Sequence, residues 1–290
     1  MTSRTSEISY DLSRLIVITD LDGTLLDFHS YSFDMAKPAL RLLKRHKIPV
    51  VCCSSKTSEE IRYWRKKIRI DYPFICENGS AVYFPKDQFK PIASKEDLLE
   101  RDGYFVKELS VDNSRITSVL ADIRSRLCES IVGFSDSELS TIRDMCGFTS
   151  IRDARRAANR EYSEPFWFSK EVNEKTIRRV VKQLKAQGLN VIRGKRFFHV
   201  LGNSDKGKAT LFVRRAYETL RGSNQTIVGI GDSTNDIEML ESVDIPVLVM
   251  GHNRRYNMTV RERISPVLAG APGPEGWNRA LTRLLMKATA

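Results

Sequence analysis

The sequence predicts an α/β fold, a parallel sheet flanked by helices and interrupted by an inserted α+β module. Three observations carry this. Short apolar, β-branched runs alternate with helical periodicity towards both ends of the chain. Two of these runs lead directly into acid-rich loops, Asp20-Leu21-Asp22-Gly23 and Gly231-Asp232-Ser233-Thr234-Asn235-Asp236. The carboxyl end of a parallel strand is where α/β sheets place their ligands. Between the two loops the pattern changes to hairpin signals and shorter helices.

Taken in order, Leu15–Thr19 reads as a buried strand, Lys37–His46 as a helix with Pro38 in its first turn, and Pro49–Cys53 as a second strand. Thr57 or Ser58 can cap the next helix, whose first turn carries Glu59 and Glu60, and the chain returns as Phe74–Cys76. After Glu77-Asn78-Gly79 come a hairpin-like Ala81–Phe84, a polar stretch to Asp102, a strand near Phe105–Leu109 and a helix over Asn113–Leu127. Ser150-Ile151-Arg152-Asp153 resembles a capping box, and Gly188 ends a helix that starts near Asn173. Asn190–Arg193 and Arg196–Leu201 form a hairpin turning at Gly194-Lys195. The α/β pattern then resumes. Asp205 caps a helix from Lys206 to about Leu220, followed by strand Thr226–Ile230, helix Asn235–Ser242 and strand Ile245–Met250. Gly270–Gly276, with Pro272 and Pro274, reads as a loop before a last helix near Trp277–Lys287. The core is therefore expected over 1–85 and 202–290, and the module over 86–201.

The bulk properties fit a soluble enzyme. No run approaches the roughly 18 apolar residues of a membrane span, and no apolar leader follows the first basic residues, so a cytoplasmic protein is expected. Cys52, Cys53, Cys76, Cys128 and Cys146 make no CxxC pair, which points to reduced, buried thiols. Four scattered histidines give zinc little support. The net charge of +11 raises the question of nucleic acid, but the basic residues are spread thinly and no nucleic-acid module accompanies them. Runs such as Arg62–Lys67 read as solvated helix faces. A positive surface that draws in small anionic substrates is the simpler reading, with neither nucleic acid nor membrane as partner.

Asp20 and Asp22, one residue apart at a strand end, repel one another unless a cation joins them. Magnesium answers that need and suits phosphate chemistry. A lone DxD would more simply be a turn. Here Asp232 and Asp236 repeat the arrangement about one helical turn apart after another strand. Lys206 stands at a helix start, where a cation opposes the helix dipole; it is either a surface residue or a phosphate partner. Ser54-Ser55-Lys56, at the end of Pro49–Cys53, adds hydroxyl donors.

These segments, DLDGTL, the strand-end serine, DKGKA and GDSTND, resemble the four motifs of the haloacid dehalogenase superfamily, and they span the core. That resemblance implies a Rossmann-like core with a C2B-type α+β cap, as in the Cof-like branch. SKTSEEIRYWR, PFICENGSAVYFP, GFSD, REYSEPF and APGPEGWN further resemble the mannosyl-3-phosphoglycerate phosphatase family over nearly the full length. The resemblance implies Asp20 as nucleophile forming an aspartyl-phosphate and Asp22 as general acid and then base. Asp20, the backbone carbonyl of Asp22, Asp232 and Asp236 would hold Mg2+, with Ser233 and Asn235 in support. Ser54 and Lys206 would grip the phosphoryl oxygens; Ser54 stands where relatives often have threonine, Ser55 is the alternative donor, and the reading favours Ser54. Lys56, Glu77 and Asn78 lie on loops presented to the cap, while Arg160, Tyr162, Arg193 and Arg196 are candidate contacts to a sugar or carboxylate. Each cap arginine reads equally well as a solvated residue, and Tyr162 as core.

The implied activity is hydrolysis of a small anionic sugar-glycerate phosphate, a glycosyl-3-phosphoglycerate with mannosyl before glucosyl. Other sugar-phosphate or sucrose-phosphate-type phosphatases, a phosphomannomutase, and a non-catalytic sugar-phosphate sensor are the competing readings.

Overall fold

The computed structural model describes residues 11–194, 196–222 and 224–289. Its elements run β1 (Leu15–Thr19), α1 (Lys37–Arg45), β2 (Val50–Cys53), α2 (Ser58–Ile68), β3 (Phe74–Cys76), β4 (Ala81–Pro85), α3 (Lys86–Ala93), β5 (Leu99–Arg101), β6 (Tyr104–Glu108) and α4 (Asn113–Leu127). There follow β7 (Ile131–Gly133), α5 (Leu139–Cys146), α6 (Ile151–Ala158), β8 (Ser163–Phe168), α7 (Glu174–Ala186), β9 (Asn190–Arg193), β10 (Phe198–Leu201) and α8 (Lys206–Arg221). The chain ends with β11 (Thr226–Gly231), α9 (Ile237–Glu241), β12 (Ile245–Met250), α10 (Met258–Ile264), β13 (Val267–Pro272) and α11 (Gly273–Thr289). It divides into two compact units, after Cys52 and after Ala209.

The first unit, formed by both ends of the chain, is the α/β core. Its strands pair in parallel in the order β13-β12-β11-β1-β2. Ile16, Val17 and Ile18 are fully buried, which is why β1 reads as an unbroken apolar run instead of an alternating one. Helix α11 supplies fully buried Trp277 and Leu281, and burying such side chains contributes roughly 1.5–3 kcal/mol each. Asn278 Oδ1 accepts the amide of Ala39 at 2.9 Å, satisfying a donor in the first turn of α1.

The second unit spans residues 53–209. It contains an antiparallel set in the order β3-β4-β6-β5 and a separate antiparallel sheet in the order β7-β8-β10-β9. Helices α4 and α7 cover one face of the latter, where Ile116, Leu120, Ile123, Val180 and Leu184 pack on Phe166 and Val200. Phe134, Ile142, Ala154 and Phe197 form a further small core.

Three sequence expectations are corrected. The polar stretch before Asp102 contains α3 and β5; α3 escapes periodicity because Phe89 leaves helical geometry and Pro91 lies inside it. Gly270–Gly276 is no loop: β13 runs to Pro272 and α11 starts at Gly273, so Pro274 occupies a first turn where its missing N–H costs nothing. Arg65, expected on a solvated face, is 3% exposed, with its guanidinium over the Phe74 ring and bonded to Tyr104. Lys195, in the expected hairpin turn, lies outside the described residues; β9 and β10 pair antiparallel, and Gly194 N donates to Phe197 O. No described helix is long and apolar enough to cross a membrane.

Candidate active site

The site begins with strand register. Thr19 of β1 lies opposite Ile230 of β11, and Asp20 N donates to Ile230 O at 2.9 Å. Asp20 and Asp232 therefore leave the carboxyl ends of neighbouring parallel strands side by side. Beyond Asp20 the chain turns at once: Gly23 N bonds Leu26 O, Leu26 N bonds Leu21 O, and Gly23 sits at φ +82, which glycine adopts freely. This local turn explains the LDGTL segment.

The second loop brings back a third acid. Asp236 Oδ2 accepts the amides of Asp232 at 3.0 Å and Ser233 at 3.2 Å, and Ser233 Oγ donates to Asn235 Oδ1 at 2.5 Å. Carboxylate oxygens of Asp20, Asp232 and Asp236 lie within 4.8 Å of one another, and the three residues are 4%, 4% and 0% exposed. Three buried acids at such spacing repel one another unless a cation sits among them, and all-oxygen donors suit a hard divalent cation. The side chain of Asp22 is outside this group, which fits a contact through its carbonyl.

Support for the first motif comes from the far end of the chain. Trp277 Nε1 donates to Thr19 Oγ1, whose hydroxyl donates to Asp20 O at 2.8 Å. Neither Thr19 nor Trp277 was singled out in the sequence; Thr19 adjoins the motif, but no spacing rule links it to Trp277.

In the second unit, Ser54 is fully buried at the end of β2. Its Oγ accepts the amide of Lys56, leaving its own O–H to donate, while Ser55 is only half-buried. Lys56, 5% exposed, stands 3.6 Å from Glu60 Oε1. Thr57 caps α2 with a capping box closed by Glu60. Lys206 is 1% exposed at the first position of α8, which rules out the surface reading of this lysine. Asp205 Oδ1 accepts Lys208 N at 2.8 Å, so the expected cap is present.

The loop Glu77-Asn78-Gly79 takes φ of +47, +58 and +93. A Cβ on Gly79 would lie 2.1 Å from Asp205 O, so only glycine lets this loop lie against the start of α8. Asn78 is 1% exposed, and among the described residues neither Oδ1 nor Nδ2 has a hydrogen-bond partner. A buried amide left so costs about 1–3 kcal/mol. Glu77, by contrast, gives both carboxylate oxygens to residues 161–163 of its own chain. Burial pushes its carboxyl upward, against the pull of the nearby Arg160 guanidinium.

The other expected contacts separate. Tyr162 is 1% exposed, its hydroxyl donating to Glu108 and accepting from Arg101. It belongs to an internal network, as the core reading has it. Arg193 is exposed beside Glu174 at 3.3 Å, and the exposed Arg196 bonds the Cys146 carbonyl. Arg160 is half-buried, with Nη1 on Ser55 O at 2.7 Å. His199, which the sequence did not single out, carries a buried Nδ1 that has no partner among the described residues, and it feels the charges of Arg160 and Lys206.

The chain is 38% identical over 272 residues to a glucosyl-3-phosphoglycerate/mannosyl-3-phosphoglycerate phosphatase of Methanococcoides burtonii, covering 94% of this chain and 97% of that protein. A protein of the same name from Persephonella marina is 35% identical, with 93% and 97% covered. Among solved structures, BT1666 of Bacteroides thetaiotaomicron, described among phosphatases of the haloalkanoate enzyme superfamily, matches with TM-score 0.66 at 17% identity, covering 98% of each chain. That likeness shows the fold. The haloacid dehalogenase-like hydrolase model matches residues 17–255, and the chain belongs to that family.

Proposed function

We propose that the chain hydrolyses the phosphate monoester of a glycosyl-3-phosphoglycerate, giving glycosylglycerate and inorganic phosphate. The observation that carries this reading is the buried cluster of Asp20, Asp232 and Asp236 at adjacent strand ends, with Asp22 two residues beyond the nucleophile position. Similarity to two phosphatases named for these substrates supports the substrate class.

Hydrolases of this family generally use Mg2+, and the three carboxylates fit it. Asp20, Asp232 and Asp236, with the Asp22 carbonyl, would hold the ion, which when bound neutralises charge on the phosphoryl group. Asp20 attacks phosphorus as the bond to the leaving oxygen breaks, and Asp22 gives that oxygen its proton. Water then attacks the aspartyl-phosphate, Asp22 takes the water's proton, and the Asp20 carboxylate is restored with release of phosphate. Ser54 and Lys206 would bind the transferring oxygens; positioning and charge neutralisation dominate such transfers. Lys56, Asn78 and Arg160 are the proposed contacts to the remainder of the substrate, and the exposed Arg193 and Arg196 are further candidates.

Phosphate release across a panel of sugar phosphates and phosphoglycerates, with magnesium and again in excess chelator, tests the reading. Chelator-sensitive release, highest on glycosyl-3-phosphoglycerates, is expected. Conversion of hexose phosphates between isomers without net phosphate release would indicate a mutase instead.

A further inference from the structure

We propose that Glu77 is a positioning residue that fixes the segment Arg160–Ser163 so that the Arg160 guanidinium is aimed at the carboxylate of a bound phosphoglycerate. This role rests on the phosphatase reading above. Glu77 is fully buried, and its carboxylate meets three consecutive residues. Oε1 accepts Glu161 N at 3.0 Å, while Oε2 accepts Tyr162 N at 3.2 Å and Ser163 Oγ at 2.5 Å. Three converging donors fill both oxygens, so this acid has little left with which to bind a substrate.

The other end of the clamp is equally fixed. Glu77 N donates to Lys56 O and Asn78 N to Ser54 O, both at 2.9 Å, which ties Glu77 to the loop proposed to grip phosphate. Arg160 is bonded to that same loop through Nη1 on Ser55 O, and it reaches Ser163 Oγ at 3.4 Å and Ala157 O through Nε at 2.9 Å. Among the described residues Nη2 carries no hydrogen bond, so its N–H donors remain on a guanidinium anchored through Nε and Nη1. A cationic N–H group held in place in this way can make a charge-assisted hydrogen bond to a carboxylate oxygen. An exposed arginine would have to lose its rotamer freedom on binding; this one has already lost most of it.

Glutamine at position 77 keeps the shape but breaks the clamp, because its NH2 would face an N–H or O–H donor. The test measures wild type, Glu77→Gln, Arg160→Ala and the double variant on a glycosyl-3-phosphoglycerate and on an aryl phosphate without a carboxylate. Glu77→Gln should raise KM for the first about 10-fold, leave kcat/KM on the second within about twofold, and add little to Arg160→Ala. Ser163→Ala, which removes a hydroxyl shared by Glu77 and Arg160, should move KM in the same direction by less, and it carries the test should Glu77→Gln not fold. Additive losses, or equal losses on both substrates, would overturn the proposal. If wild type releases no phosphate from the glycosyl ester, the substrate reading fails, and the clamp is then decided by phenylglyoxal labelling followed by peptide mass spectrometry. Arg160 should react several-fold faster in the position-77 or position-163 variant than in wild type, with Arg193 unchanged; equal rates at Arg160 would overturn it.

Discussion

Trp277 Nε1 donates to Thr19 Oγ1 at 3.0 Å, so the last helix reaches the residue that immediately precedes the proposed nucleophile. Both side chains are fully buried. The indole keeps the Thr19 oxygen satisfied while the hydroxyl hydrogen goes to Asp20 O.

Trp277→Phe should cost more than lost ring area, because it leaves a buried oxygen short of a donor. A loss of about 1–3 kcal/mol in urea unfolding is expected, together with reduced kcat. Thr19→Val removes the hydroxyl that makes both hydrogen bonds and leaves the indole N–H orphaned, so it should destabilise by a similar amount. Full stability in both variants would show that this contact does not hold the strand end.

Gly231 offers a test of the acid cluster that touches no acid. A Cβ there would lie 2.6 Å from Cβ and Cγ of Asp236, closer than any real contact. Gly231→Ala should push Asp236 away and weaken magnesium binding roughly 10–100-fold by calorimetric titration, the size expected for disturbing the support of a metal ligand. Unchanged affinity would remove Asp236 from the proposed site.

His199 should impose a pH dependence on stability. Burial, with the charges of Arg160 and Lys206, pushes its pKa down to about 3. An unfolded histidine takes up a proton below about pH 6.5, whereas the folded chain does not until far lower. Its contribution is therefore complete above that pH and falls as acid is added. Between pH 7 and pH 5 the wild type should lose about 1–2 kcal/mol more than His199→Gln in urea unfolding. Parallel losses would show that His199 takes up its proton in the folded chain as readily as in the unfolded one.

What was legible in the sequence was local. Leu15–Thr19 is buried throughout, so its apolar run leads visibly into Asp20, and the same logic marks Asp232 after β11. Asn113–Leu127 showed its helix because one face alone is buried. Long-range partnerships were hidden: Thr19 and Trp277 stand 258 residues apart, and no periodicity encodes such a contact. Glu77 appeared as a loop acid open to substrate, since nothing nearby announces that residues 161–163 will fill it. Gly273 and Pro274 looked like loop residues because a proline in a first helical turn and a proline in a loop leave the same trace.

The division of labour between Asp20 and Asp22 is the central claim, and it is tested most directly by intact mass after acid quench. With an aryl phosphate, whose leaving group needs little protonation, Asp22→Asn should still let Asp20 attack phosphorus but leave water without its base; such general acid–base help is worth roughly 10²–10⁴-fold. The Asp22→Asn protein should therefore accumulate one phosphoryl group, located on Asp20 by peptide mapping, while Asp20→Asn should accumulate none. Phosphoryl trapped on the Asp20→Asn protein, or on any residue other than Asp20 in the Asp22→Asn protein, would contradict the assignment.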